Sequence, residues 1–120
     1  FLLTSFMARS GSRAWICRDA AHQPVGFAIA REGRRATQIG PVVAASAPQA
    51  QALVQAARGA LQGLVLIDVS TARQGLNDWL AQQGFAVQRG FVRMALSATL
   101  PACVTHPHDA LFAVAGPEFG

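Results

Sequence analysis

The sequence predicts an α/β (α+β) domain built on a mixed sheet, mostly antiparallel with one parallel strand pair, in the order α-β-β-β-α-β-α-β-β. Three observations carry that prediction. The runs RAWICRD, VGFAIARE and ATQIGPVVA follow one another across very short links, which suits an antiparallel meander. A helical period then places Ala50, Leu53, Val54, Ala57 and Leu61 on one face. The run LVLIDV, residues 64–69, comes next, and its continuous apolar character, with Asp68 as the one polar residue, predicts a strand buried on both faces. Strand, helix and strand joined this tightly form a right-handed parallel crossover.

Each remaining element has its own signal. Residues 1–9 carry apolar side chains at positions 2, 3, 6 and 7, the spacing of a helix that ends near Ser10-Gly11. AAHQP, residues 20–24, is a turn between the first two strands. Ser46-Ala-Pro-Gln49 reads as a capping box at the entrance of the second helix, Ser46 as N-cap and Gln49 reaching back. A third helix over about 73–83 turns Leu76, Trp79 and Leu80 inward, and Gly84 sits where a left-handed residue would close it. Phe85 then packs back on Leu80. FAVQRGFVRMALS is read as a long strand or bent pair, and ALFAVAG as the last strand.

Composition sets the outer bounds. Of 120 residues, 52% are hydrophobic and 13% charged, so the chain is globular rather than disordered. At this length it is read as a single domain over 1–120. No apolar run has the length of a membrane span. The two cysteines, Cys17 and Cys103, lack framework spacing and are read as reduced thiols of a cytoplasmic protein. The net charge of +4 comes entirely from dispersed arginines, without the aromatic interleaving of nucleic-acid binders. His106, His108 and Asp109 fall short of a zinc ligand set, so no metal is expected.

Gly40-Pro41 interrupts what is otherwise a strand, and Pro48 sits at a helix entrance. Within a sheet, Gly and Pro are tolerated at bulges, where ladder bonds are already missing. A parallel sheet that opens there offers a ligand crevice at the carboxyl ends of its strands. Pro41 on an edge strand is the competing reading.

The element order, with GF closing the third helix, resembles the GNAT N-acetyltransferase fold from its second helix onward. IGPVVA at 39–44, LIDV at 66–69, QQGF at 82–85, FVRM at 91–94 and the terminal FAVAGPEFG narrow the resemblance. They are similar to the C-terminal GNAT-like domain of two-domain proteins, the YitH-like, Acetyltransf_18 type. On that resemblance the domain's N-terminal strand and first helix are absent, and the sequence is read as part of a longer chain.

The resemblance implies acetyl-CoA as donor and an amine as acceptor. It implies that the strand at 36–44 splays from 64–69, leaving the backbone of Val42 and Val43 to pair with the pantetheine arm. The phosphate loop of the family falls on residues 45–50, where Ser46, Gln49 and Ala50 would meet the pyrophosphate. There the sequence departs from the pattern. Pro48 stands in place of the first glycine and has no N–H to donate. Arginines would have to substitute, with Arg73 or Arg58 as candidates. The chain also contains no Tyr, and Leu80 stands where many GNAT enzymes carry their general acid.

Asp68 is the remaining candidate for a general base, against a plain strand-end carboxylate. Gln38 is the nearest polar side chain on the interrupted strand. Arg89 and Arg93 lie four apart on one face of the expected late strand, placed for an anionic acceptor or simply for solvent. The expected function is therefore transfer of an acetyl group from acetyl-CoA to an amine of a small molecule or peptide. The alternative is a non-catalytic GNAT-like module that completes the acceptor site of a preceding GNAT domain or dimerises with one.

Overall fold

The computed structural model describes residues 2–92 and 110–116. Its elements run α1 (Leu2–Met7), β1 (Arg13–Arg18), β2 (Pro24–Glu32), β3 (Thr37–Ala44), α2 (Ala47–Ala60), β4 (Val65–Val69), α3 (Gln74–Gln82) and β5 (Leu111–Val114). This is a mixed sheet, mostly antiparallel, in which β3 and β4 form the parallel pair. The predicted fold class and crossover are present.

The links between elements are chemically suited to turn. Between β1 and β2 the Asp19 carboxylate accepts the N–H groups of Ala21 and Gln23, both at 2.9 Å. Such an Asx arrangement satisfies the loop backbone locally. Between α2 and β4 the chain reverses through Gly63, and Arg13 donates to the carbonyl of Ala60 at 2.8 Å, at the helix end where a cation is favoured.

Alternation divides the sheet into two faces. Ala28, Ala30, Ile39, Val42 and Ala44 face the larger core with Ala50, Leu53, Val54 and Ala57 of α2 and with Leu76 and Leu80 of α3. Phe6 of α1 packs on the other face against Ile29 and Ala115. β4 is half-buried along its whole length rather than buried on both faces. Its apolar run met the helices on one side only.

α3 closes as its sequence predicts. Gly84 takes a φ of +89°, its N–H donates to Ala81, and the N–H of Phe85 donates to Leu80 at 3.0 Å. These are the two bonds of a Schellman motif, and Phe85 packs against the core. The late strand expected from Phe85 is not formed over residues 85–92, which are irregular. Its remainder lies outside the described residues, as do Arg93, Cys103, His106, His108 and Asp109. No helix among the described residues is long and apolar enough to cross a membrane.

Candidate functional site

The site begins with the bulge in β3. Ala28 pairs with Val42 and Ala30 pairs with Ile39, so β3 carries one more residue than β2 across that step. The extra residue falls at Gly40-Pro41, whose peptide is cis. Pro41 lacks an N–H, and a bulge is where a strand tolerates that loss. The bulge also resets the side-chain alternation, so that Ile39 and Val42 both reach the core, each fully buried.

Beyond the bulge the parallel strands part. β3 and β4 pair only through Thr37–Val65, Gln38–Leu66 and Ile39–Ile67. The opening so made is filled by β5. That strand pairs antiparallel with both neighbours, Val42 with Ala113 and Val43 with Leu111 on one side, Asp68 with Val114 and Val69 with Ala113 on the other. Ala44 continues the ladder by donating its N–H to Ala110 at 2.9 Å. The splay is present, but the backbone of Val42 and Val43 is not left free, because the chain's own last strand occupies it.

Several groups hold β5 in place. Gly40 lies against the carbonyl of Val114, and any Cβ there would collide with it. The buried Arg31 donates to the carbonyl of Ala115 while its guanidinium stacks on Phe6, 4.1 Å from the ring centroid. Arg73 donates from Nε to the carbonyl of Leu111 at 3.2 Å and lies 4.3 Å over the ring of Phe112. The guanidinium expected at a phosphate thus contacts β5.

At the fork, on the face that α1 covers, the structure joins two of the sequence-derived candidates. Gln38 donates from Nε2 to Asp68 Oδ2 at 2.9 Å, and the pair is partly buried. Arg31 stands opposite Gln38 in the β2–β3 register. A polar row of Arg31, Gln38 and Asp68 therefore crosses three strands. Beside it lies a cavity of about 250 Å³ whose wall includes Arg9, Ser12, Arg31, Glu32 and Gln38. Sequence reasoning passed over Arg9, Ser12 and Glu32. The only local signal was the Ser10-Gly11 helix stop, which does not say that the turn folds against the far end of β2.

The α2 entrance differs from the expected capping box. Ser46 is the N-cap residue but makes no side-chain cap hydrogen bond, while Gln49 Oε1 accepts the N–H of Ala45 at 3.1 Å. The Ser46 hydroxyl thus leaves the first-turn amides alone, and no acidic residue stands there. Ala50 is fully buried, and its N–H donates to the carbonyl of Ser46 at 3.1 Å. Arg58 stacks 5.5 Å over Phe85 and lies eleven residues into the helix, about 16 Å from its start. It is remote from that entrance. Arg89 is exposed, with its guanidinium 4.7 Å over Phe91. Among the described residues no three of His, Cys, Asp and Glu come together.

Acetyl-CoA would therefore meet an entrance that fits in part and a strand edge that does not. The α2 start offers backbone amides to an anion. The β3 edge has its partners already. The family model described as Acetyltransferase (GNAT) domain matches residues 2–108. The chain belongs to the GNAT acetyltransferase family. Comparison with curated proteins and with solved structures gave no significant match.

Proposed function

We propose that this GNAT domain transfers an acetyl group from acetyl-CoA to an amine of a small molecule or peptide, with Asp68 as the proton acceptor. The observation that carries this reading is the Gln38–Asp68 hydrogen bond at the point where β3 and β4 part. When bound, acetyl-CoA supplies the activated thioester. An amine must be neutral to attack an acyl carbon, and a positioned carboxylate can take its proton. Gln38 fixes Asp68 Oδ2, so the proton would be received on the remaining oxygen. Orientation of a neutral amine contributes as well, without need of a Tyr.

A second reading is favoured by a different observation. Because β5 occupies the Val42–Val43 edge, the domain would serve without donor of its own, completing the acceptor site of another GNAT domain or pairing with one. Calorimetry with acetyl-CoA on this chain, paired with a free-thiol release assay over a panel of amines, separates the two. Acetylated product is expected. A dissociation constant weaker than millimolar together with no thiol release would sink the first reading in favour of the second.

A further inference from the structure

The cavity beside the polar row has a chemistry of its own. It is walled by the turn after α1, the end of β2, Gln38 of β3 and the backbone at Gly116. Ser12 Oγ is buried there with no hydrogen-bond partner. Buried hydroxyls are nearly always satisfied, so an orphan on a cavity wall points to a polar ligand. Arg9 and Glu32 line the same cavity, both exposed, with opposite charges and no ion pair between them. Oppositely charged neighbours on one wall that do not join leave both charges available to a third party.

From these groups we infer that the cavity binds a small zwitterionic amine, one carrying an ammonium and a carboxylate as an α-amino acid does. The carboxylate would take hydrogen bonds from Arg9 and, once its hydroxyl turns out of its buried position, from Ser12, in the field of Arg31 behind them. The ammonium would donate to Glu32 and to the carbonyl oxygen of Gln38. Other charge classes fit less well. A diamine sets its second cation against Arg9 and Arg31, and a purely anionic ligand sets its charge against Glu32. At about 250 Å³ the space lies just below the range of drug-sized pockets, so the ligand is small.

The acetyl-transfer reading makes this ligand the acceptor, and that consequence rests on it. Gln38, which lines the cavity, is hydrogen-bonded to Asp68, the proposed proton acceptor. The binding claim itself needs no donor.

Calorimetry with L-alanine, ethylamine and propionate, without acetyl-CoA, tests the claim on the unmodified chain. L-alanine is expected to bind at least about tenfold tighter than either half-molecule, since two charge-assisted contacts exceed one. Glu32→Gln and Arg9→Gln should each weaken L-alanine by about tenfold with little change in Tm, because both side chains are exposed. L-alanine binding no tighter than ethylamine or propionate, or undiminished in both variants, would overturn the inference. Alanine binding without any acetylation would leave the pocket standing and remove the acetyl-transfer reading. Acetylation of ethylamine without alanine binding would do the reverse.

Discussion

Gly40 of β3 and Val114 of β5 meet backbone to backbone, with the Val114 carbonyl lying where a Cβ on Gly40 would stand. That contact lets β5 lie close in the fork between β3 and β4. Gly40→Ala must push β5 outward or distort the bulge, since neither neighbour is a flexible side chain. Gly40 also has a φ of +153°, which an L residue rarely adopts. The expected loss of stability is about 1–3 kcal/mol, the usual range for overpacking. Urea unfolding would measure it, and an unchanged midpoint would contradict the close approach.

The same residue shows what sequence can and cannot reveal. Gly40-Pro41 announced the bulge because a proline without an N–H is hard to place in a central ladder. It said nothing of β5, since the packing of a distant strand into the fork depends on contacts about seventy residues apart in the chain. Gln38 and Asp68 were each legible as polar residues in apolar strands, and parallel pairing brought them together. Arg73 was legible as a cation near a helix start, but it meets a carbonyl and a ring on β5. Residues 85–92 looked like the first part of a long strand or bent pair. The period-2 pattern predicts a strand only where a partner edge is available, and that segment is irregular.

Asp68→Asn separates a base from a structural acceptor. Asparagine keeps the shape and can still present an oxygen to Gln38 Nε2, so the fold should lose less than about 1 kcal/mol. If Asp68 receives the proton, kcat should fall by about 10²–10⁴-fold with the Michaelis constant for acetyl-CoA little changed. Steady-state thiol release decides between them. Retained kcat would leave Asp68 as a strand-end hydrogen-bond acceptor.

Arg73→Ala removes one hydrogen bond and one cation–π stack from β5. Partly buried contacts of these kinds are worth about 0.5–2 kcal/mol each, so β5 should loosen before the sheet does. Hydrogen exchange at the Ala44 amide reports this directly, because its acceptor is Ala110 just before β5. Exchange at Ala44 should accelerate more than at Ala28 or Ala30 in the core. Weaker acetyl-CoA binding without that change would instead return Arg73 to the phosphate role that its position first suggested.

Pro48→Gly probes the helix entrance. Pro48 lies in the first turn of α2, which has no acidic residue and no side-chain cap from Ser46. Its replacement adds an N–H at the positive end of the helix dipole, where an anionic phosphate would be received. One new hydrogen bond to a charged group is worth about 1.5–3 kcal/mol, so acetyl-CoA should bind roughly tenfold tighter or more. Stability should move the other way by about 1 kcal/mol, as glycine frees the unfolded chain and proline suits a first turn. Calorimetry and thermal melting on the same preparation give both numbers. A stability loss with no gain in affinity would mean that phosphate does not approach this turn, and would count against donor binding at α2.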